Sequence, residues 1–506
     1  MMDVSRITPA VLTEDRLDAS YYGTRYLQNE VFLKKCGISM VQVGTLTDKC
    51  NCGATPKDVV YDGKGTGLVR TTDVRPNVFL ADGVLRTSEL RVNPDASVAA
   101  VPGDLLYTMS GTIGYAAVIH DGVDVVSFSN TIARARFAAR TGQDSRFTAA
   151  FFNCKYGYTQ SLRLVSGGIQ GHVMPNPFKR LPVPTPAPEA QRYIGDKVRQ
   201  AERLRDRARR LRRDVDRLLS ISSLIDALKS TEQRPNRVTP SDLNPRLDSK
   251  YYGSRAMAVL RAAGANSVAV GALVEEVSNG FEHREFDAEG TPYITVTEVS
   301  GGRLVLTTAP RLGAGVSIPE KARIDTRCAL VVRTGSVGVA VPVFEEDTHA
   351  AISSHLIRLR FKSEEEAAVV AAFLNSEVGR VLQRKISYGA VQPQIGQEEL
   401  LALPIPKSLL DSGESILSFL KTEDAALRAA QRLTATATSL VEHLIDGRLT
   451  EADLVAAQKA LEAGNRNADR EILKALRQSD APDAKPLIAD VDTLYALLDG
   501  AEGQDA

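Results

Sequence analysis

Two kinds of apolar spacing alternate along this chain. The runs "SNTIARARF" (Ser129–Phe137) and "LIRLRF" (Leu356–Phe361) place apolar side chains on a period of two. β-Branched residues on that period suit a half-buried pleated surface and predict strands. Gly111, Gly114, Gly335 and Gly338 fall where a tight turn would re-enter a strand. "FTAAFFNCKYG" (Phe147–Gly157) and "EEEAAVVAAFLNSEVG" (Glu364–Gly379) predict helices, each ending on a glycine suited to a C-cap. Elsewhere the period is seven. Leu204, Leu211, Leu218 and Ile225 form one row, with Ala201, Ala208 and Val215 three positions earlier. Phe419, Ala426, Leu433 and Leu440 form another, accompanied by Ala430, Ala437 and Leu444. These are the a/d seams of a coiled coil. A pair of helices inside one core would show the same rows, but the charged outer face "RQAERLRDRARRLRRD" (Arg199–Asp214) favours an exposed rod.

The two seams belong to a longer repetition. "RLDASYYG" (Arg16–Gly23) returns as "RLDSKYYG" (Arg246–Gly253), and "MSGTIGYAAV" (Met109–Val118) as "RTGSVGVAVP" (Arg333–Pro342). "SNTIARARF" aligns with "SSHLIRLRF" (Ser353–Phe361), "GGIQGHV" (Gly167–Val173) with "GAVQPQI" (Gly389–Ile395), and "LPVP" (Leu181–Pro184) with "LPIP" (Leu403–Pro406). The order is kept throughout and the offset barely drifts, so the chain is a tandem duplication of a unit of roughly 220 residues. A period that long means two whole domains.

The expected architecture is α+β. Two mixed globular domains (residues 1–185 and 241–407) alternate with two long helical segments (186–240, which includes a linker, and 408–450). An acidic helical extension (451–506) follows. The two helices are expected to pair antiparallel as a coiled coil, giving a pseudo-twofold dumbbell.

Composition fits a globular chain: 43% of its 506 residues are apolar and 25% charged. No apolar run is long enough to span a membrane, and the start "MMDVSRITPA" lacks the features of a signal peptide. Five scattered cysteines argue against a disulfide framework, so the expectation is a cytoplasmic protein. Cys50 and Cys52 form a lone C-x-C, short of a four-ligand zinc set. Neither a phosphate-binding loop nor an adenine-methyltransferase N/D-P-P-Y/F loop is present; "DGKGTG" (Asp62–Gly67) misplaces its lysine, and "NPF" (Asn176–Phe178) lacks a proline. Net charge is zero overall, positive through residue 240 and negative in the tail. A neutral total is a poor footprint for a free-standing DNA binder and suggests weak DNA affinity without partner subunits.

In these features the chain resembles the specificity subunit of type I restriction–modification systems. The marks are "LPVPTPAPEAQ" (Leu181–Gln191) leading into the first helix, "SGTIG" in the first domain, and "LVEHLIDGRLT" (Leu440–Thr450) closing the second helix. They cover Arg16 to about Leu449. The second helix start, "LPIPKSLLDSGESI", lacks the closing Gln, and the segment after Thr450 lies outside the resemblance. The resemblance implies a non-catalytic subunit that reads two short half-sites of double-stranded DNA. It implies two methyltransferase subunits and restriction/translocase subunits as partners. No cofactor is expected on this chain, S-adenosylmethionine being held by the methyltransferase.

Base reading needs Arg, Lys, Asn, Gln or aromatic side chains presented to a groove. Candidates in the first domain are Lys155, Tyr156, Tyr158, Gln160, Arg163, Gln170 and His172. In the second they are His283, Arg284, Arg333, Arg384, Lys385, Tyr388, Gln392 and Gln394. "CKYGYTQSLR" (Cys154–Arg163) interleaves stacking and hydrogen-bonding groups most densely, although each residue could equally be solvated surface. Gln170 and Gln392 are matched by the repeat and suit a shared backbone contact, whereas sequence-specific contacts should fall where the copies differ. Two other classes stay open: an adaptor of another DNA-defence assembly, which neighbouring genes would reveal, and a nuclease with an unfamiliar site, which metal-dependent cleavage would reveal.

Overall fold

The structure is a computed structural model that describes residues 12, 16, 18–166, 171–229, 239–240, 243, 246, 248–389, 392–478 and 484–502. Its principal helices are α1 (Thr24–Lys35), α2 (Ser145–Asn153), α3 (Lys155–Arg163), α4 (Pro188–Leu219), α5 (Ser222–Lys229), α6 (Ser254–Ala263), α7 (Glu364–Asn375), α8 (Glu377–Ile386), α9 (Gly413–Ile445), α10 (Glu451–Glu462), α11 (Asn467–Ala475) and α12 (Val491–Glu502). Contacts divide the chain into two units. Unit 1 is Met1–Asp206 with Ala426–Ala506, and unit 2 is Arg207–Ala425. Each long helix therefore begins in one unit and ends in the other.

The duplication is carried into the sheets. In unit 1, β1 (Thr47–Cys52), β2 (Leu105–Thr108), β3 (Ala116–Val118) and β4 (Ile132–Phe137) form an antiparallel sheet in the order β1-β4-β2-β3. In unit 2, β5 (Val274–Asn279), β6 (Cys328–Val332), β7 (Ala340–Pro342) and β8 (Leu356–Phe361) repeat it as β5-β8-β6-β7. A smaller sheet beside each contains one parallel pair, Thr66–Val69 with Val126–Phe128 and Thr291–Ile294 with Ala351–Ile352. The predicted strands are therefore present, but the half-buried expectation fails. β4 and β8 are central, and their arginines are covered too: Arg134 and Arg358 are 1% and 6% exposed. Each donates to a backbone carbonyl, Arg134 to Ala99 and Arg358 to Arg323 at 2.7 Å, and Arg134 also to the Asn51 side chain, which is how a guanidinium tolerates burial. Cys50 and Cys52 sit two apart on β1, so the strand period puts both on one face, against the core.

The helices predicted from "FTAAFFNCKYG" and "EEEAAVVAAFLNSEVG" exist, but neither glycine is a C-cap. The helices stop earlier, at Asn153 and Asn375, and new ones begin two residues later. Gly157 and Gly379 lie inside the second members. A Cβ there would stand 2.1 Å from the Phe151 carbonyl oxygen and 2.0 Å from that of Phe373. Glycine is required by the tight corner between consecutive helices. The turn glycines do match expectation, with φ of 73° and 88° at Gly111 and Gly114, and 89° and 103° at Gly335 and Gly338.

Within unit 1 the halves of α4 and α9 run antiparallel: Ala187 donates to Glu451 Oε1 at one end and Arg205 to the Ala430 carbonyl nearer the middle. Within unit 2, Arg212 pairs with Glu423 at 2.9 Å, and Val215 and Leu219 share a core with Ile416 and Leu420. Leu204, Leu211, Leu433, Leu440 and Leu444 are buried seam residues as predicted. Three others are not. The seam drifts by one residue after Val215, burying Leu219 and leaving Leu218 half-exposed, because a straight helix turns past a strict seven-residue repeat. Ile225 lies beyond the end of α4, on α5. Phe419 is likewise half-buried beside the buried Leu420.

The repeated tag is a clamp. Arg16 donates to the carbonyls of Leu164 and Val165 at the end of α3, and Arg246 to those of Ile386 and Ser387 at the end of α8. These cations satisfy carbonyls that a helix C-terminus leaves free. Tyr22 and Tyr252 are buried and donate back to the carbonyls of Arg16 and Arg246, at 2.6 and 2.7 Å.

The acidic extension is helical and belongs to unit 1. Asp469 on α11 is buried and accepts from Lys197 at 2.5 Å and Tyr193 at 2.6 Å, both on α4, and from Tyr495 on α12. Burial alone would raise this carboxyl, but Lys197 beside it holds it below the usual carboxylate range. Among the described residues, no helix is long and apolar enough to cross a membrane.

Candidate nucleic-acid interface

The candidate residues separate into groups that the protein uses internally and groups that it leaves facing outward. "CKYGYTQSLR" is the helix α3, and most of its polar groups are spent inside unit 1. Lys155 pairs with Asp446 at 3.1 Å, and Tyr156 donates to the same carboxylate while its ring stacks on Phe32 at 5.1 Å. Burial and then Asp446 push the Tyr156 hydroxyl above the ordinary tyrosine range. Arg163 pairs with Glu30 at 2.6 Å and covers the Tyr21 ring at 4.3 Å. Gln160 donates to the Pro182 carbonyl at 3.2 Å, and Tyr158 lies half-buried beside the Gly114 turn. Lys385 takes the place of Arg163 in unit 2: it is 5% exposed, with its Nζ 3.0 Å from the centroid of the Tyr251 ring.

A second set is gathered at one edge of unit 2. Tyr388 and Gln394 exchange backbone hydrogen bonds of 2.9 and 2.8 Å, closing a short loop through Gly389. That loop is clipped to the glycine turn after β6, where Gly335 donates to the Pro393 carbonyl and Ile395 to that of Arg333. The result brings Arg333, Tyr388, Gln392 and Gln394 together, with Arg384 exposed on the last turn of α8. The guanidinium groups of Arg333 and Arg384 have no protein partner among the described residues.

Unit 1 builds the same frame. Ser166 and His172 exchange backbone bonds of 2.9 Å each, and Val173 donates to the Met109 carbonyl at 2.8 Å. His172 is exposed here, while Gln170 lies outside the described residues. The backbone pattern is therefore shared, yet the side chains differ: Met109 stands where unit 2 has Arg333, Ser166 where it has Tyr388, and His172 where it has Gln394. Met109 is buried, so the surface difference lies in the missing arginine and in Ser166 and His172 against Tyr388 and Gln394. His283 and Arg284 are not part of it. They lie on the loop after β5, where the His283 ring is 5.8 Å from Phe286 and Arg284 pairs with Glu282 at 2.5 Å.

Sequence reasoning passed over Lys57, Lys64 and Arg91, exposed cations on the loops flanking the smaller sheet of unit 1. The signal was available. Each stands in a Gly-, Pro- or Asn-containing loop, the usual carrier of binding residues.

No family model matches the chain, and no curated protein does. Several solved structures show similarity, three of which follow. The S subunit of a type I restriction-modification system from M. genitalium is 15% identical, with 81% of this chain and 96% of that one covered and a TM-score of 0.43. A structure from work on complex assembly and conformational transition of the type I R-M system is 15% identical over 83% of this chain and 97% of that one, with a TM-score of 0.27. The HsdS subunit from Thermoanaerobacter tengcongensis is 17% identical over 82% and 97%, with a TM-score of 0.26.

Proposed function

We propose that this chain is the DNA sequence-specificity subunit of a type I restriction–modification complex. It reads a bipartite, asymmetric double-stranded DNA target and recruits methyltransferase and restriction subunits. The observation that carries the reading is the duplicated edge: one backbone frame occurs twice, with Arg333, Tyr388 and Gln394 in one copy and Ser166 and His172 beside a buried Met109 in the other. Two such edges in one chain suit two unlike half-sites, since an arginine able to grip a guanine edge in one copy has no counterpart at the surface of the other, where Met109 is buried. The chain itself is read as non-catalytic and cytoplasmic, with S-adenosylmethionine held by the methyltransferase. The duplication further suggests two methyltransferase copies per chain.

The test is an exchange. Residues 1–185 are replaced by the corresponding domain of another specificity subunit, and the host methylome is sequenced. One half-site should change and the other should persist. A change in both halves, or in neither, would overturn the reading.

A further inference from the structure

The duplication shows where the two units should agree, and beside one pair of helices they do not. In unit 2, α5 packs against α6 and α8, and its Leu224 and Leu228 join Val259, Ala263, Leu382 and Ile386 in one buried cluster. The repeated tag matches α6 with α1, and the glycine corner matches α8 with α3. Asn29, Leu33, Gln160 and Leu164 therefore hold the four corresponding positions of unit 1. Among the described residues no helix takes the place of α5 there, and all four line an open cavity of about 920 Å³.

The chemistry of this face differs as well. Carboxamides of Asn29 and Gln160 stand where unit 2 has Val259 and Leu382, and Lys34 and Arg180 where it has Gly264 and Ala402. Loss of a covering helix explains a polar face, but not one of a single sign. Four cations, Arg16, Lys34, Arg163 and Arg180, line the cavity against one carboxylate, that of Glu30. Glu30 is engaged by Lys34 and Arg163, each at 2.6 Å. Lys34 and Arg180 are the exposed cations of the set. The cavity also adjoins the duplicated edge: Ser166 of the frame lines it, as does Met174, next to the Val173 that is bonded to Met109.

We propose that this cavity seats the phosphate backbone of the DNA beside the half-site read by unit 1, with Lys34 and Arg180 as its phosphate contacts. Such contacts fix position and carry no sequence information. Unit 2 has neither cation and fills the same place with α5, so the grip is one-sided. It belongs to the unit whose edge lacks an outward arginine. The proposal rests on the DNA-reading function and adds to it how unit 1 is held on the duplex.

The test is the salt dependence of DNA binding by the full-length chain in the reconstituted complex, on a duplex carrying the site defined by the methylome. Each cation that neutralises a phosphate contributes about one to the slope of log K against log salt. Lys34→Gln combined with Arg180→Gln should flatten that slope by about two, so its deficit shrinks roughly tenfold between about 50 and 200 mM salt. The loss should be the same on a duplex with one half-site mutated. Lys34→Gln alone should give about half the change in slope. Arg261→Gln, which removes an exposed cation from α6, should change nothing. Neutral methylphosphonates in the half-site that responds to exchange of residues 1–185 should erase the difference between wild type and double variant, and those in the other half-site should preserve it. Both substituted side chains are exposed, and an unaltered circular-dichroism melt should confirm that the variants are folded. An unchanged slope, a loss confined to the cognate sequence, or an equal loss in Arg261→Gln would overturn the proposal. Normal DNA binding with loss of the methyltransferase from the complex would also overturn it, by making an acidic protein surface the occupant. In all these cases the wild type still discriminates its site and the specificity reading stands, whereas a wild type that does not discriminate would bring down both.

Discussion

The carboxamide of Asn375 closes a ring with the backbone of Ala340, donating to its carbonyl at 2.5 Å and accepting from its N–H at 2.9 Å. Asn153 does the same to Ala116, at 2.7 and 3.0 Å. In each unit a residue at the end of a helix thus completes the sheet's edge strand. Asn375→Ala should strand both backbone groups and lower the stability of unit 2 by about 1–3 kcal/mol. Denaturant unfolding should show the loss in one of two transitions. A change spread equally over both would contradict the assignment.

The burial of Lys385 predicts a dependence on pH. Burial, and next Arg246, bring its ammonium down to about 8, against the opposing pull of Asp248. Between that value and the ordinary lysine range the unfolded chain binds the proton more tightly, so stability rises with pH across the window. Below about pH 8 both states are protonated and the charged group's burial penalty is fully present. Wild type should therefore gain on Lys385→Met as pH increases from 8 toward 10. Urea midpoints of the two proteins, measured in parallel, give the difference, and a constant difference would refute the prediction.

Arg333 is the test of the outward edge. If it reads a base, Arg333→Ala should cost about 1–3 kcal/mol on one half-site and relax the preference there. Binding to probes mutated in the other half-site should fall by the same factor. Equal weakening on every sequence, with a shallower salt dependence, would reassign Arg333 to the phosphate backbone.

The helices α4 and α9, of 32 and 33 residues, invite a test as rulers. From the seam alone, roughly 47 Å at ~1.5 Å per residue, the half-site centres are expected about 10 to 14 base pairs apart. An added heptad in each helix should lengthen the unread spacer by roughly three base pairs, on the same rise, and leave the read bases alone. Methylome sequencing would show an unchanged spacer if the helices do not set it.

The duplication and the positions of the strands and long helices were legible because each leaves a periodic trace. What failed was local and depended on distant residues. The corner at Gly157 is imposed by the Phe151 carbonyl, and a glycine before a helix end looks the same as one inside a tight corner. The internal partners of Lys155, Tyr156 and Arg163, namely Asp446, Glu30 and Tyr21, come from elsewhere in the chain and leave no sign in "CKYGYTQSLR" itself. Arg333 and Gln394 were visible as candidates, but their convergence depends on a loop clipped to a turn more than fifty residues earlier. The extension's attachment through Lys197 and Asp469 leaves no periodic mark at all.

The discontinuity of unit 1 bears on how the protein is made. Unit 2 is one unbroken stretch, Arg207–Ala425, and has all its strands as soon as that stretch leaves the ribosome. Unit 1 has to wait. Its sheet and α1 emerge before unit 2, yet the second half of α9 and the stapling Asp469 come from Ala426–Ala506, made after it. At about 5–20 residues per second, the intervening Arg207–Ala425 separates the two parts by some 11 to 44 s. Throughout that interval the apolar face of α4 that ends up beneath Leu440 and Leu444 is a newborn surface in need of shelter. Translation speed over the second half of the message, and chaperones that reach the nascent chain, become determinants of yield for the first half of the protein.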